Sequence, residues 1–301
     1  MQKNKILYST LGIITILGIW YFVFRAHDYV ISVEVPTYPS SLYYKILESE
    51  QLCFDCKNTT QLSATIPFRK IIHQIEIDNL PYRLEWTLAG ENKKTKLSIG
   101  VIGLKNSLSN RWKVLIRDTS FEEKFVKKIT SFLEDLKNYQ NTFRIASDQK
   151  NANFPVTHFI SDNMSCAVPK KAGLMMKSVL DVTKFLNEKN IILQGNPFSI
   201  IDDFDIEKNQ INFRFCFPVP KDTKLPFGEK FSKDSLQITQ SFDAQYFGNY
   251  ATSNEAWLAL IEEHTTPAKV DQYQFVESYL NNPHEGGDDT KWKALVYMIK
   301  K

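Results

Sequence analysis

Tyr273-Gln-Phe-Val-Glu-Ser-Tyr-Leu280 alternates with the period of a β-strand, which places Tyr273, Phe275, Glu277 and Tyr279 on one face. One carboxylate among three rings is costly to bury. It suits a site that receives something cationic, or flat and apolar. On a solvent-facing strand the same Glu277 costs nothing. What the neighbouring segments build decides between the two.

Upstream, the chain carries a faint internal repeat. A strand at Phe154–Ile160 leads to a helix over 170–189, where Met175, Val179, Val182 and Leu186 fall at helical spacing. A hairpin follows, 197–202 and 211–217, around the acidic turn Asp202-Asp-Phe-Asp205. The order then recurs: a strand over 236–247, a helix over 254–264, and a hairpin of 273–280 and 291–299. Thr252 and Glu255 offer that helix a capping box, and Trp257, Leu258 and Ile261 an apolar stripe. Two such units side by side present a groove, with Glu277 on the first hairpin strand of the second.

Several segments within this region carry a resemblance. Phe213-Arg-Phe-Cys-Phe-Pro-Val219, Tyr246-Phe-Gly-Asn-Tyr250 followed by Ala256-Trp257, and Glu277-Ser-Tyr-Leu-Asn-Asn-Pro283 occur in an order and spacing that resemble the GyrI-like, or AraC effector-binding-type, small-molecule-binding domain. The resemblance covers the chain from near Phe154 to its end. Phe247 stands where that family often has His, and Ile299 near a usual Pro. The resemblance implies a groove in which Glu277 meets cationic or aromatic ligands, with Tyr250 and Trp257 flanking it. Tyr246, Phe275, Tyr279 and Phe215 are further candidates for its lining or for plain core. Some branches of the family are hydrolases of strained small molecules that use an equivalent Glu, since burial tends to raise a carboxyl pKa and makes it a usable acid or base.

The stretch 28–147 reads as a separate α+β domain. It opens with a strand, Tyr29–Val35, and a short helix over 40–50. Strands are expected at 69–77, 82–88, 96–102 and 111–117, divided by turn-like clusters. Ser120 and Glu123 then form a capping box for a helix with Phe121, Phe125, Ile129, Phe132, Leu133 and Leu136 along one face. That order resembles the START/polyketide-cyclase-like (SRPBCC) superfamily, in which a long last helix closes a cavity over a curved antiparallel sheet. It brings no site residues with it. Ser147–Asn153 reads as a polar linker, and 148–301 as the effector-binding-type domain.

Ile6–Phe24 holds no charged residue, close to the ~20 residues of a membrane-spanning helix. Trp20 and Tyr21 suit a membrane interface, and Lys3 and Lys5 before the run favour an extracytoplasmic, periplasmic body. A single-pass anchor over residues 1–27 is expected, with a cleaved signal peptide as the alternative.

A net charge of +3 over 301 residues, with no basic block interleaved with aromatics, argues against a nucleic-acid partner. Of the four cysteines, Cys53 and Cys56 have redox-motif spacing, and Cys166 and Cys216 stand apart. No β-α-β pattern surrounds the first pair. The five histidines are dispersed, so neither a metal nor another cofactor is expected. Three functions follow as expectations: a membrane-anchored binder of cationic or aromatic amphipathic small molecules, a hydrolase with Glu277 as general acid or base, and a structural membrane protein whose groove is filled by its own side chains.

Overall fold

A computed structural model describes residues 2–49, 61–77, 80–91, 93–116, 120–150, 154–225, 230–283 and 286–301. The chain divides into two compact units, Met1–Leu136 and Lys137–Lys301. Both are built of helices with an antiparallel sheet.

In the first unit, α1 (Gln2–Ile19) passes into a π-helical turn, Trp20–Phe24. The uncharged run is therefore not one regular α-helix. Among the described residues no helix is long and apolar enough to cross a membrane. Then come β1 (Tyr29–Val35), α2 (Pro39–Glu48), β2 (Gln61–Ile66), β3 (Lys70–Ile77), β4 (Leu80–Glu91) and β5 (Lys94–Gly103). The five strands lie in the order β1-β5-β4-β3-β2. Helix α2 packs on β4 and β5 and buries Leu42, Tyr43 and Ile46. Cys53 and Cys56 lie outside the described residues.

Within the expected strand 111–117, residues 111–115 instead belong to a helix, α3 (Ser107–Leu115). The reason is tertiary. Asp28 is 1% exposed, and α3 supplies its partners: Arg111 Nε donates to Oδ1 at 2.8 Å, Ser107 Oγ at 2.5 Å, and Asn110 Nδ2 to Oδ2 at 3.4 Å. Gly103 N–H donates to Oδ2 at 2.8 Å. A strand would point alternate residues away from Asp28, whereas helical spacing turns positions 107, 110 and 111 toward it. The remaining guanidinium nitrogens of Arg111 each reach a carbonyl, Phe22 O and Arg25 O, both at 2.8 Å. The pair thus ties the end of the N-terminal helix to the body of the unit.

Helix α4 (Ser120–Gln140) buries Phe125, Ile129, Phe132 and Leu136, the stripe its periodicity predicts. The Ser120 and Phe121 side chains lie outside the described set.

The second unit holds β6 (Phe143–Lys150), β7 (Phe154–Ala167), α5 (Lys171–Glu188), β8 (Phe198–Asp205), β9 (Gln210–Pro218), β10 (Ser232–Ile238), β11 (Phe242–Gly248), α6 (Asn254–His264), β12 (Tyr273–Tyr279) and β13 (Lys293–Lys300). Their order, β10-β7-β9-β8-β12-β13-β11-β6, is nearly a palindrome of roles. Each half runs strand, helix, hairpin (β7-α5-β8-β9, then β11-α6-β12-β13), and the first hairpin strands of the halves, β8 and β12, pair at the centre. Two sequence expectations change here. The strand expected over 236–247 is two strands that go to opposite sides of the sheet, β10 beside β7 and β11 between β13 and β6. The expected linker Ser147–Asn153 enters β6 as far as Lys150, paired with β11.

Both faces of the central strands are buried. One carries an apolar cluster that includes Phe159, Phe198, Ile200, Cys216, Val276 and Tyr297. Phe213, Phe215 and Phe217 alternate with Cys216 and are buried too. Burial pushes the Cys216 thiol well above its ordinary pKa, as for a small inert hydrophobe. Phe275, Glu277 and Tyr279 alternate with Val276 and meet the helices.

Candidate functional site

Strand β12 places Glu277 opposite Ser199 of β8, on the central seam of the sheet. Both residues are fully buried. The starts of both repeat helices converge on the carboxylate. Lys171, the first residue of α5, donates from Nζ to Glu277 Oε2 at 2.5 Å and to Ser253 Oγ at 2.9 Å. Ser253 is the N-cap residue of α6, and its own hydroxyl donates to Tyr250 O at 2.9 Å. A cation in the first turn of a helix opposes the macrodipole. Glu277 supplies the negative charge that makes the position tenable.

The Lys171 ammonium also lies 4.5 Å from the centre of the Trp257 ring, within range of a cation–π attraction. Trp257 stacks on Phe275 with centroids 5.7 Å apart. The Tyr279 hydroxyl donates to the same Oε2 that Lys171 uses, and Ser199 Oγ lies 3.0 Å from that phenol oxygen. The Tyr279 ring packs against Tyr250 at 4.7 Å and against Phe215 at 6.4 Å. Met175 Sδ lies 3.7 Å from the Tyr279 oxygen. Glu277 Oε1 is buried with no hydrogen-bond partner. A half-satisfied buried carboxylate is expensive.

Burial lowers the Lys171 pKa, and the Glu277 charge opposes that shift. Burial, reinforced by the same carboxylate, raises the Tyr279 phenol well above its ordinary value. Tyr250 is raised by burial. Both phenols are therefore neutral donors near pH 7.

Of the sequence candidates, the structure gathers Glu277, Tyr279, Tyr250, Trp257, Phe275 and Phe215 into this cluster. Tyr246 is engaged elsewhere: its hydroxyl donates to Asn249 O at 2.8 Å and lies 2.6 Å from Thr252 Oγ1, and its ring stacks on Phe143. Gly248 makes that turn possible. Its φ is 146°, and a Cβ there would come within 2.7 Å of the Tyr246 oxygen and 2.8 Å of Phe143. The expected Thr252/Glu255 capping box does not form. Thr252 closes a 3-10 turn, Tyr250–Thr252, ahead of the helix, and Glu255 accepts from Tyr139 at 2.8 Å.

Lys171 is the residue that sequence reasoning missed. Its signal was present: two adjacent lysines, Lys170 and Lys171, at the start of an amphipathic helix, where the dipole disfavours them. A depression of about 480 Å³ lies apart from this cluster, lined by Phe143, Arg144, Phe247 and Lys291 among others. The Arg144 guanidinium sits 4.0 Å above the Phe247 ring there. Among the described residues no group of His, Cys, Asp and Glu could hold a metal ion.

No protein-family model matches the chain, and no curated protein matches it in sequence. Several solved structures show a loose likeness, these three among them. A cryo-EM structure of an EcmrR–DNA complex aligns over 65% of this chain and 72% of its own, with 14% identity and a TM-score of 0.41. The crystal structure of the EcmrR C-terminal domain aligns over 53% of this chain and 99% of its own, with 14% identity and a TM-score of 0.36. The structure of SAV2435 bound to tetraphenylphosphonium covers 53% and 93%, with 11% identity and a TM-score of 0.30. At TM-scores of this size the function of the present chain rests on its own residues.

Proposed function

We propose that the second unit binds small aromatic cations at Glu277, and that Lys171 is a built-in cation which occupies the site until a ligand displaces it. The observation that carries the reading is the resting place of the Lys171 ammonium. It lies on one buried carboxylate and over one indole face, the two groups that recognise an organic cation. The unpartnered Glu277 Oε1 leaves acceptor capacity unused. Displacement frees an ammonium whose buried state is already disfavoured by desolvation. The uncharged run Ile6–Phe24 completes the proposal as a membrane attachment, supported by the exposed Leu11, Ile14, Ile16 and Leu17 of α1.

The test is calorimetric titration of tetraphenylphosphonium, and of a neutral aromatic of similar size, into wild type and Lys171→Met. Removing the resident cation should tighten the cation at least about tenfold, the 1.4 kcal/mol scale of one lost competitor contact, and leave the neutral compound unchanged. Equal affinities for the cation in both proteins would refute displacement.

One observation favours a second reading. Glu277 and Lys171 are 0% and 1% exposed in their side chains, as befits a pair that only staples the two repeats together. In that case neither protein binds the cation.

A further inference from the structure

Helix α3 is amphipathic in the wrong sense for water. Its polar residues Asn110 and Arg111 are buried, 7% and 6% exposed, whereas Leu108, Trp112 and Leu115 are 64%, 55% and 54% exposed. Ile116, just past its end, is 57% exposed. A surface helix of a water-soluble protein does the reverse. The inversion is forced from inside, because Asp28 takes Ser107, Asn110 and Arg111 as partners and the opposite face is left apolar.

That face is continuous with the end of the N-terminal helix. Phe22 stacks on Trp112 at 6.1 Å, the Tyr21 hydroxyl donates to Arg111 O at 3.1 Å, and Arg111 caps Phe22 O and Arg25 O. Trp20, Val23 and Phe24 beside it are 58%, 65% and 71% exposed. Contiguous apolar surface of this kind marks an interaction site. Neither residues 1–27 nor residues 104–117 contain an acidic side chain, while Arg25, Lys105 and Lys113 add positive charge.

From this we infer that α3 is a second membrane contact, lying in the interface of an anionic bilayer with Leu108, Trp112 and Leu115 in the acyl boundary. Lipid fits better than a protein partner for two reasons. Leu11, Ile13, Ile14, Ile16, Leu17 and Ile19 of α1 are exposed on every side of the helix, a surface that only a solvent of acyl chains covers all round. The aromatic and basic residues at its junction with α3 are those enriched at membrane interfaces. The Asp28–Arg111 pair then holds the two membrane elements at a fixed depth relative to each other. The inference rests on the membrane attachment proposed for Ile6–Phe24 and adds to it a surface far along the sequence.

The experiment uses the full chain reconstituted in phosphatidylcholine–phosphatidylglycerol vesicles with brominated acyl chains, which quench tryptophan on contact. Of the five tryptophans, Trp86 and Trp257 are fully buried and Trp292 is half-buried, so in a Trp292→Phe background Trp20 and Trp112 should dominate the quenchable emission. Trp20→Phe and Trp112→Phe should each lower that emission about twofold, the share of one of two equivalent interfacial rings. The Phe replacement keeps the stack on Phe22 and the fold. If Trp20→Phe lowers the quenching and Trp112→Phe does not, α3 is outside the lipid and the inference fails alone. If neither does, the attachment itself fails and the inference with it. A detergent-stable dimer dissolved by Leu108→Ser, with Trp112 unquenched, would assign the face to a second copy and overturn the proposal.

Discussion

Asp28–Arg111 in the first unit and Glu277–Lys171 in the second are both buried ion pairs, and only the first is complete. Asp28 receives four donors spread over both oxygens, and Arg111 reaches two carbonyls besides. Glu277 gathers its two donors, Lys171 and Tyr279, on one oxygen and leaves the other without a partner. Arginine's planar fork suits many fixed partners, whereas lysine is a point charge on a flexible stem. A fully satisfied pair specifies one structure. A half-satisfied pair retains the capacity to exchange a partner, which a binding site requires and a clamp does not.

The sharpest way to break this comparison is to cut each pair and then remove it altogether. Arg111→Met strands Asp28 and two carbonyls, and should cost the first unit about 3–5 kcal/mol in urea unfolding. Adding Asp28→Leu should recover little, because Gly103 N–H, Ser107 and the carbonyls of Phe22 and Arg25 stay orphaned. Full recovery would show that the clamp is no better satisfied than its counterpart.

A second way to perturb the first unit starts from a buried histidine. Burial lowers the His73 pKa from 6.5 to about 4, and its ring meets Trp86 edge-on. The unfolded chain takes up a proton below pH 6.5 that the folded unit refuses until about pH 4. Stability is therefore lost as pH falls through that window and levels off below it, by about 3 kcal/mol in all. Amide protection in β3 and β4, corrected for the intrinsic exchange rate at each pH, should fall over that range in wild type and not in His73→Phe. An equal fall in both would place the acid sensitivity elsewhere.

In the second unit, Lys171→Met should cost less, about 2 kcal/mol, because it strands no carbonyl and leaves the carboxylate the Tyr279 hydroxyl as a donor. The double variant Glu277→Met, Lys171→Met should return to within about 1 kcal/mol of wild type, as apolar replacements of buried pairs do. Tyr279 keeps Ser199 as a partner there, so few groups are orphaned. A double variant as unstable as the single one would mean that this pair, too, is a clamp.

Where periodicity and packing agreed, the sequence was legible. The alternation at 273–279 is β12, the apolar run after Ser253 is α6, and the stripe Phe125–Leu136 is buried along α4. The duplicated strand-helix-hairpin order was readable for the same reason. Arg111–Arg117 misled because Trp112, Val114 and Ile116 alternate like a strand, while the deciding partner is Asp28, far upstream. The strand over 236–247 concealed a change of sheet edge, since Thr239–Ser241 carries neither Gly nor Pro to announce the break. Glu277 and its rings were visible as a face. Its cation was not, because Lys171 lies 106 residues away and a lysine pair at a helix start reads as a solvated end.

The most direct test of the account is titration of the aromatic cation into Lys171→Met beside the double variant Lys171→Met, Glu277→Gln. If Lys171 occupies a cation site made by Glu277 and Trp257, the single variant binds at least about tenfold more tightly than the double one, whose site has lost its charge. Equal binding by the two, or no binding by either, would contradict it.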